Sequence, residues 1–170
     1  MFGKIKSLRE LFQIELSNAY DCEQKLVAKG LPTMIENARS TELQAALKHH
    51  LEETRHQIRR LKQVFATIAM EPETKGNDIL DKMMSAAKDS ISNIEDPSLR
   101  DAALIINGNV VEHYEIAVYC SLAAFARSLD LQSAVALLEE TLAEEKKADA
   151  SLTQLGETIM NPQAARRQTA

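Results

Sequence analysis

Apolar residues recur at steps of three and four along most of this 170-residue chain, the spacing that lines up one face of an α-helix. The pattern predicts four long helices. The first runs from about Lys4 to Asn37, and Gly30 and Pro32 predict a break or kink in its last third, because proline lacks an N–H and its ring crowds the preceding turn. The second begins near Ser40-Thr41, where Thr41 and Gln44 have capping-box spacing, and continues to about Ala69. Met70 to Gly76 is a polar break, and a shorter helix follows from about Asn77 to Asn93. Asp96-Pro97 then offers an N-cap with proline at the first helical position, opening a third long helix that reaches about Ser128. Asp130 caps the fourth, which ends near Ile159 at the Asn161-Pro162 stop. Residues 1–160 thus form one domain, and 161–170 a flexible tail, frayed from Gln163 onward.

The connections select the topology. The first and second helices are joined by a short turn, as are the third and fourth, so each pair is an antiparallel hairpin. Between the second and third lie nearly thirty residues that include the short helix, enough to travel the length of the bundle and re-enter from the other end. Two hairpins joined by one long crossover give an all-α, ferritin-like, up-down-down-up four-helix bundle with a short fifth helix in the crossover.

Composition agrees with long helices. The chain is 45% hydrophobic but only 4% aromatic, with 5 Gly, 4 Pro and no Trp. A net charge of −5 gives no electrostatic case for nucleic acid. No apolar stretch approaches the length of a membrane span, and Met1-Phe2-Gly3-Lys4 leads directly into helical periodicity without a signal-peptide core. Cys22 and Cys120, far apart in apolar helical stretches, read as reduced core residues. The expectation is a soluble cytoplasmic protein.

What changes the picture is acid on stripes that should be apolar. The first helix reads Phe12, Leu16, Ala19, Glu23, Leu26, and the fourth reads Leu138, Leu142, Glu145, Asp149, Leu152. A buried, unpaired carboxylate is costly, and several converging on one core make sense if a cation neutralises them. The second helix carries the stripe Leu43, Leu47, His50, Thr54, Leu61, with Glu53 at its edge and His56 further round. Glu53 and His56 have the Glu-x-x-His form of di-iron bundles, while His50 is an alternative ligand or a hydrogen-bonded core histidine. In the third helix Glu115 flanks the stripe Val111, Tyr114, Val118, Phe125, and Glu112 lies one turn earlier. Tyr20 and Tyr119 lie near these acids as hydrogen-bond donors or as plain core tyrosines. A carboxylate-rich site with one or two imidazoles suits two metal ions, iron first, with manganese or zinc as alternatives. The rival reading is a metal-free helical dimer in which the acids are buried as hydrogen-bonded pairs.

Four segments, Tyr20-Asp-Cys-Glu-Gln-Lys25, His49-His-Leu-Glu-Glu-Thr54 with Gln57-Ile-Arg-Arg-Leu61, Val111-Glu-His-Tyr-Glu-Ile-Ala-Val-Tyr119 and Leu142-Ala-Glu-Glu-Lys-Lys-Ala-Asp149, resemble the YciE/YciF family of bacterial ferritin-like stress proteins. The resemblance extends from about Ser7 to Leu155. It implies a ferritin-like fold, a homodimer, a link to stress responses and a di-iron centre. Glu23, Glu53, Glu112, Glu115 and Glu145 stand where the family pattern has acids, and His50 matches it whereas His56 does not. The second Glu-x-x-His of ordinary di-iron proteins is absent, since Ala148 follows Glu145 at that spacing and Asp149 stands in from the next position.

Overall fold

A computed structural model describes residues 4–166. Helices α1 (Leu8–Lys25), α3 (Thr41–Thr67), α5 (Pro97–Ser128) and α6 (Gln132–Leu155) form the bundle. Among the described residues there is no strand. Side-chain pairs fix the directions. Arg60 on α3 meets Glu144 and Glu140 on α6, while His50 meets Glu145, so those helices run antiparallel. On α5 and α6, Asn109 meets Thr153 and Arg127 meets Glu139, again antiparallel. Phe12 packs in one cluster with Ala126 and Leu26 in another with Leu104, which sets α1 antiparallel to α5. The result is the up-down-down-up bundle.

Local chemistry starts most helices where expected. The Ser7 hydroxyl caps α1 by accepting from the Glu10 N–H at 3.1 Å, and the Asp96 carboxylate caps α5 through the Ser98 and Leu99 N–H groups at 2.7 and 3.0 Å. The start of α3 differs in detail. Ser40, rather than Thr41, is the N-cap, and its hydroxyl accepts from the Leu43 N–H at 3.3 Å. Gln44 reaches back to the Ala38 carbonyl at 2.7 Å instead of closing a capping box. The backbone N–H groups of Arg39 and Ser40 just before the helix are taken by the buried Asp101 carboxylate of α5 at 2.8 and 2.9 Å.

Two expectations at helix ends are corrected and a third is given its form. Asp130 does not cap α6. It sits at a φ of 57° after α5, and the Leu131 N–H bonds the Ala126 carbonyl at 2.9 Å, a Schellman-type closure. An aspartate tolerates this left-handed position better than most residues. The anticipated break or kink at Gly30 and Pro32 takes the form of a π-turn, Leu26–Gly30, from which the chain continues as α2 (Leu31–Asn37). The same device recurs at Gly156–Met160, so Asn161-Pro162 does not stop the helix but opens α7 (Asn161–Arg166). In both places the residue before the proline donates one residue further back than in an α-helix, Leu31 to Leu26 and Asn161 to Gly156. The widened turn relieves the crowding that a proline ring brings to a regular one. The rest of the expected tail, from 167 to 170, lies outside the described residues.

The crossover helix α4 (Asp78–Ser92) is tied to the bundle by a polar clasp. The backbone N–H of its N-cap Asn77 donates to Asp21 at 2.8 Å, the Asn77 amide donates to Tyr114 at 2.7 Å, and Lys25 bridges Asp21 and Asp81 at 2.8 and 2.7 Å.

The core has two apolar clusters. One holds Phe12, Leu16, Leu61, Phe65, Leu122 and Leu138, with Tyr20 edge-on to Phe65 at 5.7 Å between ring centroids. The other holds Leu26, Leu43, Leu47, Leu80, Leu104 and Met160. Between them lies a layer of buried polar side chains. Because Asp101 satisfies two backbone donors in the α2–α3 turn, Asp101→Ala is expected to destabilise the fold by about 2 kcal/mol. A thermal melt should read this as a loss of roughly 4–8 °C, and an unchanged melting temperature would show that water replaces the carboxylate there.

Candidate metal centre

The polar layer is built from one or two side chains of each bundle helix. Glu23 comes from α1, His50 from α3, Glu112 and Glu115 from α5, and Glu145 from α6; all are buried. A histidine nitrogen and carboxylate oxygens of His50, Glu112, Glu115 and Glu145 lie within 4.8 Å of one another. His50 Nε2 stands 3.2 Å from Glu112 and 3.8 Å from Glu145. Tyr119 donates its hydroxyl to Glu23, and the Cys22 thiol lies 3.5 Å from Glu115.

The buried face of α5 is Glu112, Glu115, Tyr119, Leu122 and Ala126, about one residue round from the expected stripe through Tyr114 and Val118. Both acids therefore stand at the centre of the face. Helix α5 is apolar around most of its circumference, so periodicity alone leaves its rotation undetermined.

Glu53 sits at the rim, half-buried, with one oxygen 3.2 Å from His49 and the other 3.7 Å from His50. Asp149 is also at the edge, 3.3 Å from the exposed His113. His56 is exposed and outside the cluster. It falls about 120° round the helix from His50, so the imidazole of the layer is His50 and the Glu53–His56 pairing does not converge on the site. Tyr20 belongs to the apolar cluster. Cys22 and His49 were not among the expected site residues. Cys22 could have been found as the neighbour of Glu23 on a helix with a wide buried face, and His49 by its four-residue spacing to Glu53.

The electrostatics follow from placing carboxylates out of water with little positive charge. Burial pushes Glu23 from the ordinary 4.5 up to about 7, although Tyr119 and His50 pull it down. Burial also raises Glu112, and raises Glu115 and Glu145 well above the usual carboxylate range, their mutual repulsion adding to the effect. His50 is raised despite its burial, because Glu112 and Glu53 favour its charged form. Glu53 is lowered, chiefly by His50 beside it.

The hydrogen-bond inventory identifies what these groups lack. Glu23 Oε2, Glu112 Oε2, Glu115 Oε2, both oxygens of Glu145 and His50 Nδ1 are buried without a hydrogen-bond partner. Buried polar atoms are normally satisfied, and hard oxygen donors with one imidazole, aimed at one another, fit a divalent cation.

A helical bundle of the ferritin-like class, with a buried histidine-and-carboxylate cluster able to hold a metal ion, is what the fold and the site define. Residues 7–165 match the profile of the family described as Domain of unknown function (DUF892), and the chain belongs to that family. It is 35% identical to protein YciF of Escherichia coli (strain K12) over 164 residues, covering 94% of this chain and 96% of the relative. The crystal structure of the E. coli stress protein YciF superposes with a TM-score of 0.88, covering 92% of this chain and 99% of the other. YcfI of Rhodopseudomonas palustris, described as a putative structural protein, matches with a TM-score of 0.87 at 37% identity, covering 90% and 98%. A protein of Xanthomonas campestris pv. campestris shares the fold at 21% identity and a TM-score of 0.75, covering 95% and 99%.

A carboxyl group with a raised folded value binds its proton more tightly in the folded state. It therefore stabilises the fold at low pH and loses that contribution as pH rises, for Glu23 between 4.5 and about 7. The raised value of His50 acts in the same direction, since its charged form is lost as pH climbs. Metal-free protein is thus expected to melt at a progressively lower temperature between about pH 5 and pH 8. Calorimetry would check this, and a melting temperature that stays level across the window would show that the layer ionises as freely in the folded as in the unfolded chain.

Proposed function

We propose that the polar layer is a binuclear metal centre, with iron the preferred occupant and manganese or zinc the alternatives. On this reading the protein handles iron, or reduces oxygen or peroxide, in the cytoplasm of stressed cells. The observation that carries the reading is the set of buried, unpartnered carboxylate oxygens facing one another, together with His50 Nδ1. Glu145, with both oxygens free, would serve both ions. His50, Glu112 and Glu115 would hold the ions with it, Glu23 offering its free oxygen and Glu53 joining from the rim. A redox-active metal pair held there would supply the chemistry for reducing oxygen or peroxide.

The chain's own residues prepare the site. Tyr119 holds Glu23 in place through its hydroxyl. The two apolar clusters exclude water from either end of the layer, and in that dry surrounding the carboxylates hold a cation more strongly than they would in water. The description of the E. coli relative as a stress protein supports the setting. Two free cysteines among the described residues fit a reducing compartment.

Elemental analysis after anaerobic loading with Fe²⁺ is expected to find two ions per chain in the wild type and at least one fewer in Glu145→Ala. Loading should also raise the melting temperature, as a ligand of the folded state does. A protein that takes up no Fe²⁺ or Mn²⁺, and whose melts are unmoved by them, would instead be the metal-free helical module, consistent with the description of the R. palustris relative as structural.

The homodimer has its own support in α5. Ile106, Val110, His113, Ala117, Cys120 and Ala124 fall on one stripe of three- and four-residue steps, and all are exposed, Ile106 by 63%. A stripe that is apolar but for His113, on a helix whose opposite face is already buried, suits a second copy of the same helix. Sedimentation is expected to give a dimer for the wild type and a monomer for Ile106→Glu/Val110→Glu, and a dimer that persists in that variant would place the interface elsewhere.

A further inference from the structure

The metal layer is closed by apolar clusters at both ends, but a cavity of about 180 Å³ opens beside it between α3 and α6. Its walls include Ala46, Ala148 and Ser151, whose small side chains leave the gap. At its outer end stand His49 and Lys147, both exposed, and at its inner end His50 and Glu112, both buried. Glu53 lies between the two ends, with one carboxylate oxygen towards His49 and the other towards His50. The inner partner is incompletely satisfied. His50 Nδ1, the atom facing Glu53, has no hydrogen-bond partner, and its residue is only 6% exposed.

We infer that this cavity is the route by which a divalent cation reaches the centre, and that His49 and Glu53 form an outer binding station from which Glu53 passes the ion to His50 and Glu112. The inference rests on the metal-centre reading and deepens it. An ion in water must shed its shell in stages to enter a dry site, and an imidazole–carboxylate pair at the mouth replaces the first waters with fixed ligands. Glu53 is suited to the transfer because its oxygens face opposite ends of the cavity, so a rotation of one carboxylate moves its bond from the outer imidazole to the inner one. Lys147 supplies the positive charge beside Glu53 at the mouth in the metal-free protein, and an arriving cation displaces it.

The test measures loading rate separately from capacity, using Co²⁺ alone as the probe and following its visible absorption by stopped flow. Ala148→Leu narrows the passage, and the cavity has room for the added carbons without disturbing the packed layers. His49→Ala removes the outer imidazole at an exposed position and leaves the buried layer untouched. His113→Ala, on the α5–α6 seam, is the comparison. Both Ala148→Leu and His49→Ala are expected to bind as much Co²⁺ at equilibrium as the wild type but to load roughly tenfold more slowly, equivalent to about 1.4 kcal/mol of added barrier. His113→Ala is expected to load at the wild-type rate. Wild-type rates in both cavity variants, or a slowed His113→Ala with an unaffected His49→Ala, would overturn the route while leaving the centre in place. A wild type that binds no Co²⁺ at all would overturn the centre and the route together.

Discussion

Four glutamates share one buried layer with a single imidazole, and that concentration of like charge is the constraint on which the rest of the molecule depends. Glu23, Glu112, Glu115 and Glu145 cannot all ionise there unless a cation joins them, because removing a carboxylate from water costs several kcal/mol and each neighbour adds repulsion. His50 can offset one charge at most. Arg60 of α3 is committed to Glu140 and Glu144 of α6. Protons or metal ions must supply the remaining balance, and the two compete for the same oxygens.

The apolar clusters on either side give the layer its rigidity and its dryness. Phe12, Leu16 and Phe65 close one end, and Leu43, Leu47 and Leu104 the other. The second cluster takes in elements that a plain four-helix bundle lacks. Leu80 of the crossover helix and Met160 of the second π-turn pack into it, and the Asn77–Asp21–Lys25 clasp holds that crossover helix across α1 and α5. The layer is therefore supported from both sides, while a cavity beside it faces the groove between α3 and α6.

Much of the architecture was legible because it depends on local chemistry. Asp96-Pro97 starts α5 with side-chain and backbone preferences that act within one turn. Glu23 and Glu145 stood on stripes too regular to be surface faces, and both are buried. The cap of α3 was misplaced by one residue because Ser40 and Thr41 are chemically equivalent and the choice is made by Asp101, which arrives from α5. Asp130 was misread because aspartate serves equally as an N-cap and as a left-handed closing residue. Pro32 read as a break or kink and Pro162 as a stop because the i→i−5 turn that accommodates each has no sequence signature of its own.

The sequence by itself determined the helices, their antiparallel hairpins, the long crossover and the presence of acids inside, since each follows from periodicity, capping or loop length. Only the tertiary structure decided which face of α5 turns inward, that His50 rather than His56 meets the carboxylates, and that Cys22 lies against Glu115. The reason is geometric. A residue's position around its own helix is fixed by local repeat, but the rotation of that helix against its neighbours is fixed by how all the faces pack together. In α5, apolar on nearly every side, nothing local selects one rotation over the next.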